Sequence, residues 1–163
     1  MYAQVVGMSS NPHDKQYWGP RLWRLFHLMA EVSDRRDISA LWRKWIFATS
    51  DAMPCERCRV HLKMYLQTHT IIPQINPHSK TGANVRDGIR LALFKFHNDV
   101  NRMIHLPVQP PTILSQLYGG SRAHILSMIQ TLFQELKHSW KLDYHEWMSL
   151  YRVLYSRVSC GPD

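Results

Sequence analysis

Apolar residues return at three- and four-residue steps through almost every segment of this chain, and no segment shows the strict alternation of a half-buried strand. An all-α fold is therefore expected, with prolines and glycines marking its joints. A first helix runs from about Trp18 to Val32, with Pro20 at an early position where its missing N–H costs nothing. Leu22, Leu25, Phe26 and Met29 form its apolar line, and Trp23 and His27 sit four apart on a neighbouring one. Asp37 caps a second helix from Ile38 to about Asp51, with Leu41, Trp45 and Ala48 on one face. Pro54 opens a third, which continues through Leu62, Tyr65 and Leu66.

Thr70 to Ala83 holds Pro73, Asn76, Pro77 and Gly82 and reads as a loop. Asn84 caps a fourth helix reaching about Ile104, with Ile89, Leu93, Phe96, Val100 and Met103 as its apolar line. After Pro107, Pro110 and Pro111, a short helical piece from Ile113 to Tyr118 ends at Gly119 and Gly120. Two amphipathic helices follow, Ser121 to about Trp140 and Asp143 to about Val158, the latter capped by Asp143 with Glu146 three residues on. The expected organisation is a flexible lead-in over residues 1–16, a four-helix core over 17–118, and a helical hairpin extension over 119–163. The hairpin's apolar faces could cover the core, enlarge a dimer interface or dock a client, and the sequence leaves these three open.

A chain of 163 residues can bury a core without disulfide staples. Its three cysteines are too few for a secreted disulfide framework. Met1 to Pro12 has neither the charged start nor the apolar run of a signal peptide. No stretch approaches the roughly 20 apolar residues of a membrane span. A cytoplasmic setting is the expectation. The net charge of +8 is spread along the chain rather than gathered in a basic block, so a solvated basic surface is favoured over a nucleic-acid site.

Against that background Pro54-Cys55-Glu56-Arg57-Cys58-Arg59-Val60-His61 stands out, since it holds two of the three cysteines. A cysteine in the first turn of a helix meets unsatisfied N–H groups and the positive end of the helix dipole, and Arg57 and Arg59 add to that potential. Thiolates are favoured there, and the i, i+3 spacing lets Cys55 and Cys58 close a disulfide. Zinc is the alternative, with Cys55, Cys58 and His61 as ligands. On a continuous helix such three-residue steps drift by about 60° each, and no second cysteine pair supplies a fourth ligand. Further on, His97, Asn98 and Asn101 crowd one side of the fourth helix, where they could bond to another helix or to a bound polar molecule.

Taken together, these blocks resemble the FAD-linked sulfhydryl oxidases of the Erv/Alr family over roughly Tyr17 to Tyr118. Gly19, Trp23 and His27 match the family's Gly-x3-Trp-x3-His pattern. Pro54, Cys55, Cys58 and His61 match Pro-Cys-x-x-Cys-x-x-His, and His97, Asn98, Val100 and Asn101 match His-Asn-x-Val-Asn. The resemblance implies a four-helix bundle with a short fifth helix, usually a homodimer, with FAD at its mouth. It implies Cys55 as the outer cysteine that exchanges with protein thiols and Cys58 as the one beside the flavin. Gly19, Trp23, His27, His61, His97, Asn98, Val100 and Asn101 would belong to the FAD site, with Tyr118 near the adenine.

The implied reaction moves electrons from thiols through the cysteine pair and FAD to dioxygen, giving hydrogen peroxide. The implied partners are protein thiols, including thioredoxin-like or small C-x-x-C carriers. Leu106 stands where many members have a lysine near the FAD phosphates, and Arg102 or His105 would have to substitute. The structural and shuttle cysteines of cellular members are also missing, a pattern that resembles the oxidases of large cytoplasmic DNA viruses. The host cytoplasm or virion is the matching location, with the mitochondrial intermembrane space as the alternative. Two other functions stay open: a zinc-stabilised basic module that binds nucleic acid, and a degenerate flavin-binding adaptor. Cys160 lacks a second cysteine within its own tail and reads as a free thiol.

Overall fold

The computed structural model describes residues 9–72, 81–140 and 144–163. Among them are seven helices and no strand: α1 (Lys15–Glu31), α2 (Ser39–Ala52), α3 (Glu56–Thr68), α4 (Gly82–Met103), α5 (Ile113–Tyr118), α6 (Arg122–Ser139) and α7 (His145–Ser159). The all-α expectation holds. No helix among the described residues is long and apolar enough to cross a membrane.

Several boundaries differ from the sequence reading, each for a local reason. α1 starts three residues earlier than expected because Asp14 caps it, its carboxylate accepting from the Gln16 N–H at 2.9 Å. Pro20 therefore lies inside the helix, where it cannot donate to the Gln16 carbonyl. Asp37 does not cap α2. Ile38 occupies that position without a side-chain bond, while the Asp37 carboxylate accepts from Arg157 at 2.9 Å. In α4 the cap is Thr81, whose hydroxyl accepts from the Asn84 N–H at 3.2 Å, so Asn84 receives no capping role. Met103 points to solvent at 58% exposure instead of continuing the apolar line. Tyr144 takes the N-cap position of α7, and Asp143 lies outside the described residues.

α1 packs against α4, α5 and α6, while α2 packs against α3 and α7. The three possibilities left open for the hairpin are thereby narrowed: α6 and α7 lie along α1 and α2 and share one core with them. Leu25 and Met29 of α1, Trp42 and Trp45 of α2, Ile89 and Leu93 of α4, Ile129 of α6 and Trp147 and Leu154 of α7 are all essentially excluded from solvent. Polar bonds fix the same contact. The Trp147 indole N–H donates to Thr49 Oγ1 at 3.0 Å, and Arg21 Nε donates to Glu135 at 2.9 Å. Arg122 donates to both carboxylate oxygens of Asp34 and to the carbonyls of Val32 and Val158, tying the α1–α2 turn to the end of α7. Gly82 lies so near this turn that a Cβ there would sit 1.9 Å from the Asp34 carbonyl oxygen.

Candidate active site

Cys55 and Cys58 form a disulfide, with Cα atoms 5.1 Å apart. Cys55 is the N-cap of α3, and its sulfur accepts from the Cys58 backbone N–H at 3.1 Å. One of the helix's orphan donors is thus satisfied by a disulfide sulfur, at the end where the dipole favours negative charge. When the pair is reduced, that placement stabilises a thiolate. Arg59 donates to the Met53 carbonyl at 2.7 Å and fixes the short connection that delivers Cys55. Both cysteines are half-buried, whereas Glu56, Arg57, Val60 and His61 around them are exposed.

A row of flat rings begins on the same helix. Tyr65 follows Cys58 by seven residues, two turns or about 10 Å along the axis, and faces the same side. Its ring stacks on His69 at 4.0 Å and packs against Phe96 at 5.1 Å, and its hydroxyl donates to Asp99 at 2.8 Å. Burial and the Asp99 carboxylate push the Tyr65 phenol up to about 12. Phe96 meets Trp23 at 5.1 Å, and Trp23 stacks on His97 with centroids 3.9 Å apart and planes 4° from parallel. His97 lies 5.3 Å from His27, which stacks on Tyr118 at 4.7 Å. The row therefore crosses from α3 through α4 and α1 to α5.

His27 Nε2 and His97 Nδ1 face each other at 3.0 Å, one donating and the other accepting. Both imidazoles are buried, and desolvation holds His27 down to about 4. His97 is held lower still, by burial first and by the neighbouring His27 second. Burial keeps the pair uncharged at neutral pH, so one ring donates an N–H and the other accepts at a bare nitrogen.

Of the residues singled out in the sequence, Trp23, His27, His97 and Tyr118 come together in this row. Gly19 lies one turn before Trp23 on α1, and Val100 lies one turn beyond His97 on α4. His61 is exposed on α3, one turn after Cys58. Asn98 and Asn101 bond to the chain that follows α4. The Asn98 amide donates to the Gln109 carbonyl at 3.1 Å and accepts from the Gln109 N–H at 3.0 Å. Asn101 donates to the Pro107 carbonyl at 3.5 Å. The turn between them needs His105 at φ 59°, a left-handed conformation. His105 and Leu106 are exposed there, and Arg102 is ion-paired with Asp99.

Sequence reasoning assigned Tyr65 and Phe96 to apolar lines and missed their place beside the site. The seven-residue step from Cys58 to Tyr65 was the available signal. No group of three or more His, Cys, Asp or Glu side chains able to hold a metal occurs among the described residues.

A helical bundle that holds a disulfide at the N-terminus of a helix whose Tyr65 joins a row of buried and half-buried flat rings is suited to redox chemistry on sulfur. The chain belongs to the Erv1 / Alr family, whose model matches residues 20–117 and so covers all three motif blocks, Gly19 excepted. It is 29% identical over 92 residues to a FAD-linked sulfhydryl oxidase of African swine fever virus (isolate Warthog/Namibia/Wart80/1980), a match spanning 55% of this chain and 69% of that relative. No solved structure matches the chain.

Proposed function

We propose that this protein is a FAD-dependent sulfhydryl oxidase that makes disulfides in protein thiols and delivers the electrons to dioxygen, giving hydrogen peroxide. One observation carries the reading: the Cys55–Cys58 disulfide caps α3 on the side that leads into the ring row. Family membership and the viral relative's name support it. The residues present suit the cofactor. Trp23, His97, His27 and Tyr118 offer flat faces, and their imidazoles are neutral groups that can donate or accept. The net charge of +8 favours a diphosphate. FAD, when bound, supplies a two-electron acceptor that dioxygen can reoxidise.

The chain's own part is thiol exchange. A client thiolate attacks Cys55 Sγ, the Cys55–Cys58 bond breaks, and Cys58 leaves as a thiolate favoured by the helix end. A second client thiol attacks the client sulfur of the mixed disulfide and releases Cys55. The client loses two electrons and two protons, and the reduced cysteine pair holds the electron pair, as a dithiol once it has taken up those protons from solvent. Cys58, on the Tyr65 side of α3, is the cysteine assigned to the flavin, and Cys55, in the connection from α2, is the one assigned to clients. Trp23, His27, His97 and Tyr118 hold the ring systems, and Asn98 and Asn101 hold the 104–109 turn in place. His61 borders the disulfide, and His105 or Arg102 is assigned the phosphates in place of the lysine that Leu106 replaces. The same reading includes a homodimer.

The purified protein should be yellow, should consume oxygen with dithiothreitol, and should lose that turnover in Cys58→Ala. A colourless protein that takes up no FAD on reconstitution overturns the proposal.

A further inference from the structure

α3 packs along α2 and carries one buried side chain, Leu62. Tyr65 ties it to α4, the helix of His97. The Tyr65 ring meets Phe96 at 5.1 Å and its hydroxyl donates to Asp99 at 2.8 Å, so it is gripped at two points one turn apart on α4. His97 lies between those points in the chain and stacks on Trp23. Arg102 holds the other oxygen of Asp99, and His69 stacks on the Tyr65 ring at 4.0 Å. Asp99 fills the position that His-Asn-x-Val-Asn leaves open, so that motif does not itself call for a carboxylate there. Burial and this carboxylate push the phenol up to about 12, which keeps it a donor throughout the range in which thiols exchange.

Cys58 lies two turns before Tyr65, within about 20° of it around the α3 axis. Whatever fixes the rotation of α3 at Tyr65 therefore fixes the direction of the Cys58 sulfur. The other polar ties of the helix, Arg59 to Met53 and Lys63 to Asp51, run to α2 and its end, and hold where α3 starts more than how it is turned toward α4. Resting on the oxidase reading above, we propose that Tyr65, through its bond to Asp99, is a positioning residue that sets Cys58 against the cofactor, and so governs electron transfer from the cysteine pair to FAD rather than exchange with thiols. In that transfer the dithiol gives up two electrons and two protons, the Cys55–Cys58 bond re-forms, and FAD is reduced. Exchange at Cys55 relies on the helix cap and the Arg59–Met53 bond, neither of which involves Tyr65.

The test mixes the FAD-loaded full chain with dithiothreitol without oxygen, and follows bleaching of the flavin's visible absorbance alongside maleimide trapping of reduced Cys55 and Cys58. Tyr65→Phe keeps the ring against Phe96 and loses only the hydroxyl bond. Its bleaching should slow by on the order of tenfold, since a misplacement of about 1 Å can cost a hundredfold, and trapping should catch the reduced pair accumulating ahead of it. Asp99→Leu should behave alike, whereas Asp99→Asn, which keeps an acceptor oxygen, should retain most of the rate. Tyr65→Phe combined with Asp99→Leu should lose no more than either alone. Amide hydrogen exchange in Tyr65→Phe should quicken in α3 and stay unchanged in α1 and α4. Bleaching of Tyr65→Phe as fast as wild type overturns the inference and leaves the oxidase reading standing. Slow bleaching with the pair still oxidised also overturns it, by placing the loss in thiol exchange, as does hydrogen exchange quickened in every helix. A wild type whose flavin never bleaches overturns the oxidase reading, and this inference with it.

Discussion

The buried His27–His97 pair makes folding sensitive to mild acid, and the size of the effect follows from burial. In the unfolded chain each imidazole titrates near 6.5. In the folded protein His27 is held near 4 and His97 lower, so both stay neutral at pH 5 while their unfolded counterparts take up protons. The unfolded state then binds more protons, and stability falls as pH falls, beginning below 6.5 and levelling for His27 near pH 4. Between pH 7.5 and 5 one such histidine removes about 2 kcal/mol, and the pair up to about 4 kcal/mol, out of a typical total of about 5–15 kcal/mol.

Glu31 works in the opposite direction, since desolvation raises its carboxyl and the Arg90 bond offsets part of that rise. Urea unfolding of the FAD-saturated protein at the two pH values measures the loss. His27→Gln and His97→Gln variants should each begin less stable at pH 7.5, through a disturbed buried bond, yet lose about half as much on acidification. A wild type whose unfolding free energy is flat between pH 7.5 and 5, or Gln variants that keep the full slope, refutes the reasoning.

Three further outcomes follow from the packing. Gly82→Ala should lower stability by about 1–3 kcal/mol, because its Cβ would collide with the Asp34 backbone, and Tm measured by calorimetry should drop by several degrees. His105→Gly should be neutral or slightly stabilising at the left-handed position, while His105→Val should cost about 1 kcal/mol; paired urea titrations separate them. Thr49→Val should cost about 1–3 kcal/mol by leaving the Trp147 indole N–H buried without its acceptor, read as a shifted denaturation midpoint in one cooperative transition. Two separate transitions would show instead that α6 and α7 fold apart from the bundle.

The helices were legible because the apolar period is strong, and α5 was placed at Ile113–Tyr118 from punctuation by Pro111 and Gly119 alone. The caps were not, since Asp14, Thr81 and Asp37 are equal candidates by type and only tertiary geometry decides which finds an N–H and which an arginine. Motif spacing brought Trp23, His27 and His97 into one site, yet it did not show that Asn98 bonds to the chain after α4. Whether a buried amide meets a ligand, a helix or its own downstream loop depends on where residues 104–109 turn, and that turn rests on a histidine at positive φ that no rule would have chosen over glycine. The hairpin's destination was illegible for a similar reason: an apolar face states that it needs a cover without naming one.

Burial across the site divides the labour that the reaction requires. α3 has one buried residue, Leu62, and is held by the disulfide cap, the Arg59 bond to Met53, the Lys63–Asp51 pair and the Tyr65–Asp99 bond. A helix secured mostly at its edges leaves its outer surface open, and Arg57, Val60, His61 and Met64 are exposed on it. The histidines and Trp23 have the opposite need, because a flat cofactor ring is held by desolvated faces and uncharged partners. They sit on α1 and α4, which pack on each other, with α5 and α6 packed against α1. By filling the remaining face of α1 and α2, the hairpin backs the helix that carries Trp23 and His27, so on the proposed function the element that gains rigidity is one that holds the cofactor. On the same proposal, the element left accessible is the one that meets a client protein.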